Sequence, residues 1–220
     1  MDKQYFIIDF DSTFIKTEGL DELAKICLEN DLKKEQKVKK IEEITRLGME
    51  GKINFEESLQ KRIKLLTINK KHLVRLTKIL KNKITKSILS NKNFFKKYFK
   101  EIYIVSGGFK EFIEPVVTDF GIIKNHIFAN TFLFNKNDKV IGYDTNNRLS
   151  KKNGKVDVVK KLNLKGEVHI IGDGYTDYQL KENGLARFTA FCENVKRQTV
   201  IEKADRVVTN FDEFLDRISL

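Results

Sequence analysis

Three short apolar runs in this 220-residue sequence each end in a polar cluster able to do chemistry. Asp9-Phe10-Asp11-Ser12-Thr13 closes the first, Ser106-Gly107-Gly108 the second, and Gly172-Asp173-Gly174-Tyr175-Thr176-Asp177 the third. Taken singly, each has an ordinary reading: an Asp-x-Asp pair as a turn or cap, Ser-Gly-Gly as a tight turn, Gly-Asp-Gly as another. At the strand ends of one chain they point elsewhere. In a parallel sheet the carboxyl ends of the strands share one edge, and ligands bind there. Asp9, Asp11, Asp173 and Asp177 would then crowd one place. Two like charges about 4 Å apart repel by roughly 4 kcal/mol at an effective dielectric of about 20. Such a cluster requires a cation or raised carboxyl pKa values. Oxygen ligands without His or Cys nearby suit a hard ion, and Mg2+ best, since it binds through one or two carboxylates plus a phosphate. The Ser-Gly-Gly turn opening a helix offers backbone N–H groups to an anion. A phosphate bridging the two features is the ligand this chemistry favours.

These clusters need strands and helices to hold them. Tyr5–Phe10 is too short for a helix and reads as a buried strand. Residues 20–30 place Leu20, Leu23, Ala24, Ile26, Cys27 and Leu28 among charges, a helical pattern. From 34 to about 98 the pattern stays helical. Val38, Ile41, Ile44 and Leu47, then Phe55, Leu59, Ile63 and Leu66, then Leu73, Leu76 and Leu80 recur at steps of three or four. Gly48 and Gly51 interrupt them. After residue 100 the character changes: Ile102–Val105 is a strand, followed by Ser-Gly-Gly and a helix from about Lys110. Ile127–Asn135 and Lys139–Tyr143 predict a hairpin turning at Lys136–Asp138. Lys155–Leu162 is a helix, Val168–Ile171 and Ala186–Phe191 are strands, and 195–203 and 211–218 are closing helices. Strands alternating with helices imply an α/β fold, a parallel sheet flanked by helices. The unbroken helical block after the first strand reads as an insertion. The division is a core of residues 1–16 and 85–220, and a small helical cap of residues 17–84.

Composition sets the outer bounds. With 40% hydrophobic residues, 33% charged residues, 12 Gly and one Pro, the chain is neither collagen-like, low-complexity nor disordered. Cys27 and Cys192 are too few for a disulfide framework and show no zinc spacing. His72, His126 and His169 have no partner pattern and read as structural. No apolar run approaches the ~20 residues of a membrane span, and no signal peptide is visible. The expectation is a cytoplasmic protein without membrane contact, either a monomer or a homodimer. The net charge is +11, and residues 31–100 alone hold 21 Lys/Arg against 7 Asp/Glu, a net of +14. These are mostly lysines without a recognition motif, so they read as solvated helix faces and predict no nucleic-acid partner. A small anionic substrate would also be drawn to such a segment. The competing reading is a non-enzymatic module that uses the basic segment on a nucleic acid, with a steep salt dependence.

The order of motifs resembles that of the haloacid dehalogenase superfamily of phosphatases. An Asp-x-Asp-x-Thr loop at 9–13 is followed by Ser106, by Lys155 in Asn153-Gly154-Lys155-Val156, and by Gly172-Asp173-Gly174 with Asp177. Within it the chain is most similar to the phosphoserine phosphatase family. That likeness rests on Asp-Phe-Asp-Ser-Thr at 9–13, Ser-Gly-Gly-Phe at 106–109, and Met49-Glu50-Gly51-Lys52-Ile53-Asn54-Phe55-Glu56-Glu57-Ser58-Leu59 in the cap. The resemblance covers nearly the whole chain. It implies a Rossmann-like core and Mg2+-dependent hydrolysis of O-phospho-L-serine to L-serine and phosphate through an aspartyl phosphate.

Residue by residue, the resemblance makes Asp9 the nucleophile, and Asp11 the acid that protonates the leaving oxygen and later activates water. Ser106, Gly107 and Lys155 would hold the phosphoryl oxygens. Asp9, the backbone carbonyl of Asp11 and Asp173 would bind Mg2+, with Asp177 supporting it from behind or through water. Glu18 would meet the substrate ammonium and Arg62 its carboxylate, while Met49 and Phe55 close over it. Thr176 stands where some members carry Asn, a mild departure since both hydrogen-bond. The same residues have plainer readings: Arg62 as a solvated cap charge, Glu18 as a helix cap, Met49 and Phe55 as core, Lys155 as a surface neighbour of Lys151 and Lys152. Another small phosphomonoester is the alternative substrate within the same chemistry.

Overall fold

The first apolar run forms β1 (Gln4–Ile8), and it is buried on both faces. Phe6 and Ile8 point into one hydrophobic cluster, Tyr5 and Ile7 into another, as the period-two alternation of a strand requires. A strand buried on both sides belongs at the centre of a sheet with helices on each face. The computed structural model, which describes residues 3–218, has that form. After β1 come α1 (Gly19–Cys27), α2 (Lys34–Met49), α3 (Phe55–Ile63) and α4 (Lys70–Lys81), then the short α5 (Lys86–Ser90) and α6 (Lys92–Lys97). The chain continues through β2 (Ile102–Phe109), α7 (Lys110–Val117), β3 (Ile127–Asn130), β4 (Phe132–Phe134) and β5 (Val140–Tyr143). It ends with α8 (Gly154–Leu162), β6 (Glu167–Gly172), α9 (Tyr175–Glu182), β7 (Arg187–Phe191), α10 (Gln198–Ile201), β8 (Arg206–Val208) and α11 (Phe211–Arg217).

Six strands form a parallel sheet in the order β3-β2-β1-β6-β7-β8. The chain works outward from β1 in one direction and from β6 in the other. Their carboxyl ends therefore flank the switch point at which a parallel sheet opens a crevice.

The expected hairpin needs correction. Ile127–Asn130 is not its first arm but the edge strand β3, parallel to β2. The hairpin is the smaller β4–β5 pair, with Phe132 opposite Tyr143. The polar Asn130, fully buried, and Thr131 mark the break between them. Strand β2 also runs on through Ser106-Gly107-Gly108, with a register shift against β3 between Val105 and Phe109, instead of stopping at Val105. The helix expected over 195–203 is only the four residues of α10, and β8 carried no strong sequence signal.

Helices α1–α4 leave the core and return to it side by side. Ile15 and Ile84 form an antiparallel bridge. The Lys16 N–H donates to the Lys83 carbonyl at 2.8 Å, and the Thr85 N–H to the Phe14 carbonyl at 3.0 Å. α4 packs on α7, and Leu23, Leu59 and Leu76 share one apolar cluster with Phe6 and Ile8. Several charges of the basic segment are paired locally, such as Lys61 with Glu57 at 2.6 Å and Arg46 with Glu43 at 2.7 Å. Such exposed pairs contribute little stability. Among the described residues no helix is long and apolar enough to cross a membrane.

Candidate active site

The loop after β1 turns sharply. Ser12 has φ +52°, the left-handed region, which costs a non-glycine residue about 1 kcal/mol. Four hydrogen bonds hold it there or next to it. The Ser12 N–H donates to the Thr17 carbonyl at 3.0 Å, and its hydroxyl to Glu18 Oε1 at 2.7 Å. Asn194 Nδ2 donates to the Ser12 carbonyl at 3.0 Å and to Thr85 Oγ1 at 2.7 Å. Asn194 thus ties the loop to the segment returning from α4. The turn sets Asp9 and Asp11 on the carboxyl edge of the sheet.

Lys155, in the first turn of α8, is the cation that pairs with Asp9. Its Nζ lies 2.8 Å from Asp9 Oδ1 and 2.7 Å from Asp177 Oδ1, and all three side chains are buried. Burial opposes the lysine charge, but Asp177 and Asp9 outweigh it and hold its pKa above the ordinary value. Gly154 allows this approach, because a Cβ there would stand 2.3 Å from the Arg148 carbonyl oxygen. Asp177 sits at the start of α9, where its Oδ2 accepts from the Gly174 N–H at 3.1 Å. Burial and then the charge of Asp9 push its pKa up to about 7. Asp173 accepts from Thr13 Oγ1 at 3.1 Å and forms a salt bridge with Arg197. Asp9, Asp173 and Asp177 each present an oxygen, and these lie within 4.8 Å of one another. Three buried carboxylates with oxygen donors only suit a hard divalent cation.

Asp11 differs from Asp9. Its Oδ1 accepts from the Gly19 N–H at 2.6 Å, and burial, then Glu18 and Asp9, raise its pKa well above the usual carboxylate range. Asp9 Oδ1 already accepts from the Phe10 N–H at 2.8 Å and from Lys155, which leaves Oδ2 for other work. Two neighbouring carboxyls are thus held apart, one set up to stay protonated and the other paired with a lysine. The fully buried Ser106 Oγ accepts from the Gly108 N–H at 3.0 Å, so its own proton is free to donate.

A narrow pocket lies over these groups, walled by Asp9, Asp11, Ser106, Lys155, Arg62 and Phe55. Met49, Gly107 and Thr176 also line it. Helix α3 packs against the end of β2 and the segment before α8. Lys151 pairs with Glu56 at 2.9 Å, and a Cβ on Gly107 would meet the Phe55 ring at 2.4 Å. Gly107→Ala is therefore expected to displace Phe55, to cost the fold about 1 to 3 kcal/mol by overpacking, and to raise the Michaelis constant. A Michaelis constant that stays at the parent value would show that the ring is not a wall of the occupied site.

A family model for haloacid dehalogenase-like hydrolases matches residues 6–182. The chain belongs to that family. This hydrolase is 32% identical to the phosphoserine phosphatase of Homo sapiens over 213 residues, covering 96% of this chain and 91% of that protein. It is also 32% identical to the phosphoserine phosphatase of Methanocaldococcus jannaschii over 222 residues, with 96% and 94% covered. Among solved structures, a phosphoserine phosphohydrolase-like protein from Francisella tularensis superposes with a TM-score of 0.89 at 36% identity, covering 99% of this chain and 100% of that one. A phospho-aspartyl intermediate analogue of a phosphoserine phosphatase superposes with a TM-score of 0.78 at 26% identity, with both chains fully covered.

The fold brings Asp9, Asp11, Ser106, Gly107, Lys155, Thr176, Met49, Phe55 and Arg62 of this hydrolase to one pocket. Asp173 and Asp177 stand beside Asp9 without lining it. Glu18 is not among the lining residues; its Oε1 accepts from the Ser12 hydroxyl at 2.7 Å and pairs with Arg197 at 3.3 Å. Sequence reasoning missed Arg197, Asn194 and Asn130. The first two lie on the loop after β7, where no periodic pattern marks them. Asn130 donates to the Gly107 carbonyl at 2.8 Å and so braces the end of β2. A polar residue at the end of an apolar strand was its one signal.

Proposed function

We propose that this hydrolase cleaves O-phospho-L-serine to L-serine and phosphate through an aspartyl phosphate on Asp9. One observation carries the choice of substrate. Arg62 is buried at 3% exposure, lines the same pocket as Asp9, and makes no salt bridge among the described residues. Asp21, Glu18 and Asp11 act on this guanidinium only from beyond salt-bridge distance, so it has room for a direct anionic partner, and Arg grips a carboxylate through two parallel bonds. The phosphatases of Homo sapiens and Methanocaldococcus jannaschii named above support the same reading.

Lys155, Ser106 and the Gly107 N–H would hold the phosphoryl oxygens. Asp9 Oδ2 attacks phosphorus, the ester P–O bond breaks, and Asp11 gives its proton to the departing serine oxygen. Water then attacks the aspartyl phosphate, Asp11 takes its proton, and the P–Oδ2 bond breaks to free phosphate and restore Asp9. Covalent catalysis of this kind replaces one difficult displacement by two easier ones. Mg2+ would be held by Asp9, Asp173 and the Asp11 carbonyl, with Asp177 behind them, and when bound it offsets charge on the phosphoryl oxygens. Glu18 would meet the ammonium group, and Met49 and Phe55 would exclude water. In this reading residues 17–84 act as a cap over a core of 1–16 and 85–220.

The test is phosphate release from O-phospho-L-serine, a sugar phosphate, a nucleotide and an aromatic phosphate, each with Mg2+ and with EDTA. A Mg2+-dependent preference for O-phospho-L-serine is expected. Arg62→Ala should lower its kcat/KM by roughly 100-fold, the worth of hydrogen bonds to a charged group, and affect esters without a carboxylate far less. Equal losses on all esters would remove the assignment of Arg62.

A further inference from the structure

Arg62 is held in place by a residue outside the pocket. Three cap helices meet around it: Asp21 on α1, Thr45 on α2 and Arg62 itself on α3. All three side chains are buried, at 7%, 2% and 3% exposure. The Thr45 hydroxyl donates to Asp21 Oδ1 at 2.7 Å and accepts from Arg62 Nη1 at 3.2 Å. A hydroxyl has one proton and two lone pairs. With its proton committed to Asp21, Thr45 can only present a lone pair to the guanidinium. On the other side Arg62 Nε donates to the Ser58 carbonyl one turn earlier in α3, at 3.3 Å. Two of the five guanidinium N–H groups are thus fixed between these helices, and Arg62 also lines the pocket.

We infer that Thr45 is a positioning residue for the reading of the substrate carboxylate, with Asp21 setting the direction of its hydroxyl. Thr45 does not line the pocket, and it acts only through Arg62. The inference rests on the proposed role of Arg62. A long side chain that must grip a carboxylate with two bonds loses much of its grip when its plane is free to turn, because orientation is part of the binding free energy. Restraining the plane in advance, before substrate arrives, avoids that loss.

The experiment compares kcat/KM for O-phospho-L-serine with that for phosphoethanolamine, which keeps the ester and the ammonium group but lacks the carboxylate. Both substrates are read on one preparation, so any unfolded fraction cancels in the ratio. Thr45→Val keeps the shape and removes the hydroxyl. It should lower the ratio about tenfold, through KM for O-phospho-L-serine, the scale of one hydrogen bond to a charged group. Thr45→Ser restores the hydroxyl and should return the ratio to within about twofold of the parent, which a purely packing role for Thr45 would not do. The inference fails if Thr45→Val leaves the ratio unchanged, or if Thr45→Ser falls as far as Thr45→Val. Arg62→Ala separates the two levels. If it lowers kcat/KM equally for both substrates, the assigned role of Arg62 fails, and that of Thr45 with it. If it lowers the ratio while Thr45→Val does not, only Thr45 is wrong.

Discussion

Asp9→Asn is expected to yield a folded protein whose phosphate release falls by roughly 10^4-fold or more, the scale seen when a covalent nucleophile is removed. The expectation follows from how the two oxygens of Asp9 are used. Oδ1 accepts from the Phe10 N–H and from Lys155, and an Asn carbonyl would keep both contacts. The amide nitrogen would then stand where Oδ2 stands, and its lone pair, delocalised into the carbonyl, does not attack phosphorus. The fold should survive, since Lys155 retains Asp177 at 2.7 Å. The charge of Asp9 is also one of the causes that raise Asp177 and Asp11, so its removal lets both titrate lower. Thermal melts with and without Mg2+ complete the test. The variant should melt no lower than the parent in EDTA and gain less from Mg2+. Activity within tenfold of the parent would show that Asp9 is not the nucleophile.

The edge of the sheet that carries these groups was legible because its signals are local. Tyr5–Ile8, Ile102–Val105 and, with only His169 interrupting, Val168–Ile171 are short apolar runs, and each runs straight into small or acidic residues. No core strand tolerates such residues without a reason, so both the strand and its functional end are written in a few consecutive positions. The helical stripes of the insertion were equally local. The hairpin was misread for the opposite reason: alternation over Ile127–Phe134 has one phase, and only the parallel partner β2 decides where β3 stops. The supports of the site escaped for the same cause. Asn194 reaches Ser12 across 182 positions, and Thr45 reaches Asp21 across 24. Each is one polar residue in an unremarkable setting, and its partner is chosen by the tertiary fold. Which residues come together at the pocket was thus readable from local motifs and from the family resemblance, whereas the parts that brace them depend on contacts made only after folding.

Lys155→Met should be the most destabilising single change in the site. The substitution keeps most of the volume and removes the cation between Asp9 and Asp177, both buried. Removing one partner of a buried ion pair costs about 3 to 5 kcal/mol, because the remaining charge is left uncompensated. For a chain of this size that is a drop of roughly 10 °C in Tm. The penalty should depend on pH, and its sign follows from Asp177. Burial and Asp9 already hold that carboxyl at about 7, above its ordinary value of 3.8. A group raised in the folded state contributes stability that is fully present below its unfolded pKa, and that is lost as pH rises through the folded one. Without Lys155 the Asp177 pKa rises further, so the window of loss extends upward. The deficit of Lys155→Met relative to the parent should therefore be small near pH 5 and largest near pH 8, measured by denaturant unfolding in EDTA. Mg2+ should recover part of the loss at pH 8, since a cation between the same carboxylates relieves the same repulsion. A deficit that is flat from pH 5 to pH 8 would mean that lost packing, and not the stranded carboxylates, is what the lysine prevents.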